Sequence, residues 1–263
     1  MTEREAARDD GESALWHDVD FSGVTLAMGV GSGRLVELLN EHTAASQGHL
    51  IVTSDRVSRL EDVRPLREEG PLTPLQAQLN EIPLLNQTVD LLVMSGVLRQ
   101  VPDTKLNATF DELWRVLVPG GRLRISDLLE PPEAEHTQAW AQRNAIVRKL
   151  GRALDEPTAV SVNIRRVARA VRSAGFDDLA ISILPGYALT QEWLEETIKA
   201  VRAMSSRMVD REVQREILNE DLQELVAAYN EGEQRAAERF VLRGVKAGDV
   251  ALNPEPRWQG EGV

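Results

Sequence analysis

The sequence predicts an α/β protein with a doubly wound, Rossmann-like and mostly parallel sheet of about seven strands. Apolar runs of strand length alternate with segments of helical periodicity, which is typical of a parallel sheet covered on both faces. The run VDLLVM at residues 89–94 is apolar on both faces, as a strand buried inside such a sheet is. The 263 residues are enough to build one large core.

The first half of the chain predicts four strands. Strand one covers Val24–Met28 and is followed by a glycine-rich turn and a helix. Strand two covers residues 49–53, and a weaker strand three covers residues 75–79. Strand four, at residues 89–94, leads through a loop to a helix over residues 106–117. This alternation sets the parallel order of the sheet.

The second half completes the sheet and adds one interruption. The predicted elements are a turn at residues 119–121, strand five at residues 122–128, a long helix from near Pro132, a helix over residues 164–174 that Gly175 ends, strand six at residues 179–184 and a last strand at Arg239–Lys246. Between the last two strands, residues 186–236 carry two helical patterns instead of one short link.

The chain therefore divides into five predicted segments. They are a flexible N-terminal segment or cap (1–20), an α/β core (21–185), a helical insertion (186–236), the last strand of the core (237–248) and a C-terminal tail (249–263). The apolar stripes of the insertion indicate core packing, a lid with Tyr187 and Trp193 near a substrate, or the interface of a homo- or hetero-oligomer.

Composition excludes several classes of function. The formal net charge of −12 repels phosphate backbones, which argues against nucleic acid as a partner. The chain has no cysteine, and its four histidines lack metal-ligand spacing, so no metal site is predicted. No apolar stretch has membrane-spanning length, and the acidic N-terminus has no signal core. We expect a cytoplasmic protein that acts on a small molecule.

The segment GVGSG, after strand one, predicts a ligand site. Gly29, Gly31 and Gly33 let the backbone pass close to a ligand because no Cβ intrudes. The helix that follows offers free N–H groups at its N-terminus, where a carboxylate binds well. Glycines in a strand–helix turn also serve the turn alone, so the motif is weak by itself.

Two further motifs give the segment its context. The loop SGVLRQVPD lies at residues 95–103, and ELWRVLVPGGRLRISD lies at residues 112–127. Together with the order of elements, these motifs resemble the class I S-adenosylmethionine-dependent methyltransferases of type 11. The resemblance implies S-adenosylmethionine (SAM) as the cofactor and methyl transfer to a small organic acceptor.

The resemblance also assigns the cofactor contacts. They are Gly29, Gly31, Gly33, Ser54, Asp55, Gln78, Leu79 and Ser95. In the family an acid stands two residues before the first glycine, where this chain has Ala27. Ser54 and Gln78 stand where acids hold the ribose and the adenine, although Asp55 follows one residue after Ser54. Each lost charge-assisted contact costs about 1.5–3 kcal/mol.

The candidates for chemistry are few. His17 precedes strand one, where a cap over the pocket would lie, and Asp127 follows strand five at the carboxyl edge of the sheet. The alternatives are a surface position for His17 and a helix N-cap for Asp127. Arg99 and Gln100 occupy the loop in which the family commonly has a histidine.

Three functions remain open at this level. The first is a SAM-dependent methyltransferase, and the second is a catalytically inactive methyltransferase-fold subunit that serves as a scaffold or partner of another chain. The third is non-methyl chemistry on the same fold. Ala27, Ser54 and Gln78 favour the second, while the glycine loop with Asp55 nearby favours the first.

Overall fold

The computed structural model describes residues 18–30, 33–156 and 159–248. Within these residues, seven strands form one open sheet in the order β3-β2-β1-β4-β5-β7-β6. The strands are β1 (Val24–Met28), β2 (His49–Ser54), β3 (Leu72–Gln76), β4 (Val89–Ser95), β5 (Leu117–Leu128), β6 (Phe176–Leu184) and β7 (Arg239–Lys246). β1 to β5 run parallel, and β7 lies antiparallel between β5 and β6. The predicted fold class is confirmed.

Helices cover both faces of this sheet. They are α1 (Arg34–Ala45), α2 (Val57–Asp62), α3 (Leu106–Val116), α4 (Gln138–Ala153), α5 (Ile164–Ser173), α6 (Gln191–Ser205), α7 (Arg211–Glu216) and α8 (Leu222–Asn230), with a π-helical segment, Ile217–Asp221, joining α7 to α8. Short side chains cap several of the N-termini: Asn163 accepts from two N–H groups of α5, and Asp210 does the same for α7.

Each face of the sheet has its own apolar core. On one face, Leu92 of β4 and Ile125 of β5 pack with Phe110 of α3 and Val171 of α5. On the other face, β1, β2 and β4 pack against Val36 and Leu39 of α1 and Leu60 of α2. A sheet buried on both sides requires strands that are apolar on both faces, which is what the VDLLVM run of β4 provides.

A third core joins the insertion to α4. Trp140, Ile146 and Leu150 of α4 are buried against Leu194 and Val201 of α6, together with Leu222 and Leu225 of α8. The apolar stripes of residues 186–236 therefore bury against α4 and against one another within the chain. This arrangement places the insertion beside the helix that follows β5.

Four predicted boundaries are wrong, each for a local reason. β3 begins at Leu72 instead of residue 75, because Leu72 to Gln76 pair in register with Leu50 to Ser54 of β2. α4 begins at Gln138 and not near Pro132, because a 3-10 turn, Glu135–Thr137, precedes it. β6 begins at the buried Phe176, before the predicted residue 179.

The fourth correction concerns the predicted turn at residues 119–121. These residues lie inside β5 as a bulge, since the register passes from Val89 opposite Leu117 to Leu91 opposite Arg122. Gly120 takes a φ of +79° there, which a residue with a Cβ rarely adopts. The helix of residues 106–117 and the last strand agree with the prediction to within one residue.

A clamp explains the letters E and R of the ELWRVL motif. Arg115 donates to Glu112 through Nε (2.7 Å) and Nη2 (2.8 Å), and its Nη1 and Nη2 also donate to the carbonyl oxygens of Leu84 and Ile82. Glu112 accepts in turn from the N–H of Ile82 at 2.7 Å. Two charged side chains of α3 thus hold the loop that enters β4.

The last strand ends in a buried lysine. Lys246 Nζ donates to the carbonyl oxygens of Trp114 and Leu117, each at 2.8 Å, and lies 3.8 Å from the centre of the Trp114 ring. These contacts tie the end of β7 to the junction of α3 and β5, and they satisfy a charge that burial would otherwise penalise.

Candidate functional site

The carboxyl ends of the parallel strands meet where β1 and β4 are neighbours, the switch point at which open α/β sheets bind ligands. Backbone hydrogen bonds extend past the strands there. Gly29 N–H donates to Thr53 O at 2.9 Å, and Gly96 N–H donates to Ser126 O at 2.8 Å. The loops that would face a ligand are therefore held by the sheet itself.

The glycine loop keeps two features of a ligand cradle. Gly29 and Gly33 have φ angles of +83° and +85°, and α1 starts after Gly33 without a side-chain cap on its N–H groups. A Cβ on Gly33 would meet no atom within 4 Å, so its surroundings are open. Gly31, the middle glycine of the prediction, lies outside the described residues.

Val97 fills part of the same cradle. A Cβ built on Gly29 would lie 2.8 Å from Val97 Cγ2, so the valine side chain rests directly on the glycine backbone. Val97 belongs to the loop after β4 and is buried. A ligand that approached the Gly29 backbone closely would have to displace this methyl group. The sequence motif gave no indication of this contact.

The predicted cofactor contacts lie in different surroundings. Ser54, at the end of β2, accepts from Arg56 N–H at 3.1 Å, and the exposed Asp55 follows it at the same edge. Ser95, half-buried, ends β4, on the other side of β1 from β2. Gln78 lies two residues beyond β3, exposed, in an isolated bridge with Glu81.

Three more residues bear on the predicted cofactor contacts: Gln76, Leu79 and Ala27. Gln76 ends β3, and its side chain donates to Asp55 O at 3.2 Å. Gln76 therefore contacts the backbone of the residue that was predicted to hold the ribose. Leu79 packs against the core between the sheet, α3 and α5. Ala27 is 1% exposed and lies in the apolar cluster of β1, β2 and α1, where an acid would be desolvated.

Asp127 is the buried carboxylate of this edge. Its Oδ1 accepts from Arg99 Nε at 2.6 Å and from Leu128 N–H at 2.8 Å, while Oδ2 is buried without a hydrogen-bond partner among the described residues. Burial raises the pKa of Asp127, although Arg99 and the Leu128 N–H oppose it. Because α4 begins at Gln138, Asp127 is not the N-cap that one reading of the sequence allowed.

Arg99 crosses the end of β4 to reach Asp127. A Cβ on Gly96 would lie 3.2 Å from Arg99 Nη2, so the guanidinium lies over that glycine. Its side chain is one-quarter exposed, whereas the side chain of Asp127 is fully buried. The residue in the position of the family histidine thus presents a cation to the edge of the sheet. His17, the other candidate, lies outside the described residues.

Aromatic side chains lie beside these charges. Trp140 of α4 stacks on Trp193 of α6 with ring centres 5.8 Å apart, and meets Tyr187 edge to face at 6.3 Å. Trp193 in turn stacks on Tyr229 of α8 at 6.3 Å. Arg143, one turn along α4, lies over the Trp140 ring at 5.4 Å. The insertion thus contributes Trp193 and Tyr229 to one aromatic group.

Sequence reasoning missed Arg143. Burial lowers its pKa, and the positive charge of Arg99 lowers it further, while Tyr187 acts in the opposite direction. The only available signal was the spacing of Trp140 and Arg143, which puts both on one face of a helix. Since arginines at helical spacing are common on surfaces, that spacing alone does not indicate a site.

Other kinds of site are not formed by the described residues. No three or more of their His, Asp or Glu side chains come together as they would around a metal ion. None of their helices combines the length and apolar character that a membrane span needs. An open groove of about 450 Å³ lies between α6 and α8, lined by Ile198, Leu218 and Val226 among others, and none of its lining residues belongs to the carboxyl edge of the sheet.

Comparison with known proteins agrees with the fold. Residues 26–125 match the family model described as a methyltransferase domain, which confirms the resemblance to the class I methyltransferases. That match runs from the middle of β1 to the middle of β5 and includes the glycine loop, Asp55 and Arg99. No curated protein matches the sequence.

Solved structures share the fold at low sequence identity. YcgJ from Bacillus subtilis is 14% identical with a TM-score of 0.58, over 91% of this chain and 98% of that one. Geranyl diphosphate C-methyltransferase from Streptomyces coelicolor, solved with Mg²⁺, geranyl diphosphate and S-adenosylhomocysteine, is 13% identical with a TM-score of 0.55, over 92% and 81%. The [4+2]-cyclase SpnF is 12% identical with a TM-score of 0.59, over 91% and 81%. The fold therefore accommodates more than one chemistry.

Proposed function

We propose that the protein is a SAM-dependent methyltransferase that acts on a small organic acceptor. The observation that carries the proposal is the turn of Gly29 and Gly33 into the uncapped helix α1, at the switch point of a domain that matches the methyltransferase model. The geranyl diphosphate enzyme, which binds S-adenosylhomocysteine and a small acceptor on the same fold, supports it by analogy.

The described residues fit the cofactor in part. The free N–H groups of α1 suit the carboxylate of SAM, and the exposed Asp55 at the end of β2 suits its ribose hydroxyls. Ser95 adds a hydroxyl at the end of β4. When bound, SAM supplies an electrophilic methyl group, and the protein aligns it with the acceptor.

Near the end of β5, where the acceptor would bind, Asp127 is a group that can take up a proton. Asp127 has a raised pKa and is oriented by Arg99 and the Leu128 N–H, so it holds a proton more readily than an exposed carboxyl. An acceptor that must lose a proton on methylation would deliver it here. Tyr187 and Trp140 supply the apolar wall for such an acceptor.

A second candidate function is a methyltransferase-fold subunit without cofactor that pairs with another chain. The contact of Val97 on Gly29 favours it, because the side chain lies where a cofactor would approach the glycine backbone. The apolar surroundings of Ala27 favour it too, since the described residues of its cluster supply no charge in place of the family acid.

Calorimetric titration with SAM and with S-adenosylhomocysteine tests the first candidate. We expect binding by the parent protein and a loss of affinity of about 10- to 100-fold in Asp55→Ala, because a charge-assisted contact to the ribose is removed. Asp62→Ala, a change at an exposed acid of α2, is the matched control and should bind as the parent does. A folded parent that gives no heat with either compound would overturn the first candidate and support the second.

A further inference from the structure

Two guanidinium groups lie near the carboxyl end of β5. Arg99 comes from the loop after β4. Arg143, from the second turn of α4, lies over the Trp140 ring, and the cluster that contains Trp140 packs against Leu128, the residue after Asp127. Arg99 is paired with Asp127 at 2.6 Å. Arg143 forms no ion pair with any described residue, and its contacts are Asn144 Oδ1 at 3.0 Å and the Trp140 ring.

The charges of this cluster do not balance. Two arginines stand against one carboxylate, and both arginines are half-buried and not in open water. A recessed cation without a counterion is costly, and proteins that retain one usually present it to an anion. The planar fork of a guanidinium is also the group best suited to bind a carboxylate or a phosphate through two bonds.

Arg143 is also held in place. Asn144, which is 1% exposed, accepts from Arg143 Nη1 through its Oδ1, and the Trp140 ring supports the guanidinium from one side. The Nδ2 of Asn144 and the Nε1 of Trp140 are buried donors without a partner among the described residues. Residues 140, 143 and 144 share one face of α4, so this face is rich in donors and poor in acceptors.

From this geometry we propose that Arg143, held over Trp140, binds together with Arg99 an oxyanion of the methyl acceptor, a carboxylate or a phosphate, and that the half-buried Tyr187 packs against the apolar body of the same molecule. The word acceptor rests on the proposed function, whereas the anion site does not. The partner chemistry is an organic anion with a flat or branched apolar group. Asp127 then lies next to the bound anion through its bond to Arg99.

The test measures binding directly, without SAM. Phenyl phosphate, benzoate, neutral benzamide and benzyltrimethylammonium are each titrated into the full chain in a calorimeter. We expect heat from the two anions and none from the neutral and cationic compounds. The tighter of the two anions identifies the head group. An absence of anion binding by folded protein, or binding of the cation instead, would overturn the proposal.

Two variants and one control locate the site. Arg143→Gln should weaken anion binding about 10- to 100-fold, while Arg152→Gln, an exposed arginine of the same helix, should leave it unchanged. Asp127→Asn should strengthen it several-fold, because Arg99 then loses its counterion; a folding defect does not produce such a gain. Equal binding by Arg143→Gln and the parent would sink the assignment.

The outcome is separable from that of the proposed function. Anion binding without any SAM binding would retain the site and reject the methyltransferase. SAM binding without anion binding would reject the site alone.

Discussion

Val97 packs against Gly29 at the end of β1. Glycine at this position leaves room for a backbone contact, yet a methyl group of Val97 takes that room, 2.8 Å from where a Cβ would be. Gly29 is in the left-handed region, so the turn itself requires glycine whether or not a ligand comes. Gly29 therefore serves the turn in any case, and it can also contact a cofactor only if the side chain of Val97 leaves room.

Val97→Ala is expected to tighten SAM binding about fivefold, or about 1 kcal/mol. The smaller side chain removes the methyl group that a cofactor would have to displace. Since Val97 is buried, the change should also cost about 1 kcal/mol or more of unfolding free energy. Titration calorimetry measures the first effect and denaturant unfolding the second. Unchanged or weaker affinity in a folded variant would show that Val97 does not obstruct the site.

At this scale the sequence predicts some site residues and not others. Asp55 directly follows β2 and Asp127 is the penultimate residue of β5, so their place at the carboxyl edge follows from strand order. The pKa of Arg143 is lowered in part by the positive charge of Arg99, a loop residue far away in sequence, and no local sequence pattern indicates that interaction. The place of Ala27 in an apolar cluster likewise depends on its neighbours in β2 and β4.

Among the elements, α3 has a structural role that its sequence motif does not reveal. Glu112 and Arg115 hold the loop before β4 through four hydrogen bonds to residues 82–86, and two further bonds join the two side chains to each other. The bond from Arg115 is the largest cause of the lowered pKa of Glu112, with Ile82 N–H adding to it against the effect of burial. Glu112 and Arg115, two residues of the motif that identifies the fold, thus anchor a loop and do not mark a ligand site.

Glu112→Gln should destabilise the protein by about 1–3 kcal/mol near neutral pH. Because the folded pKa of Glu112 is lowered, its contribution is complete above the ordinary value of 4.5 and is lost as the pH falls through the folded pKa. The stability difference between parent and variant should therefore shrink in acid. Urea unfolding at a series of pH values measures it.

The matched control is Glu61→Gln, which removes an exposed glutamate paired with Arg64 at the same i, i+3 spacing. Exposed pairs of this kind contribute about 0.5 kcal/mol or less. If the two variants lose equal stability, or if the loss in Glu112→Gln does not change with pH, the clamp is not what holds the loop.

Element boundaries show where sequence patterns stop being informative. Val24–Met28 and Arg239–Lys246 are apolar runs with clear ends, and both agree with the structure. The segment at residues 119–121 carries the letters of a turn, but β4 continues to pair on either side of it and turns it into a bulge. Pairing between strands is a tertiary property, so turn letters alone do not establish a break.

For the molecule as a whole, α4 and the insertion form a second centre of stability. Leu225 of α8 is fully buried there with Ile146, Leu150 and Ile217. Among the described residues, none from β1 to β4 belongs to this core. The apolar stripes that allowed a partner chain in the sequence are largely used within the chain.

Leu225→Asp is expected to cost about 4 kcal/mol or more, because it places a charge in this core. Val209→Asp, at a residue 92% exposed, should change stability by about 0.5 kcal/mol or less. Thermal unfolding measures both, and light scattering should give parent and variants the same mass. A parent dimer that Leu225→Asp dissociates without loss of fold would instead establish the insertion as an interface.

The antiparallel position of β7 has a consequence for how the chain matures. Among the described strands β6 pairs with β7 alone, yet it is synthesised before the whole insertion and before β7 itself. Until β7 inserts between β5 and β6, the N–H and C=O groups of β6 hydrogen-bond to water or to transient partners. The insertion between β6 and β7 must be ordered before β7 can pair with both neighbours. Closing such a long segment slows folding. Lys246, at the far end of β7, then fastens the strand to α3 and β5. The sheet is thus completed at an interior position by β7, which is synthesised after the other described strands.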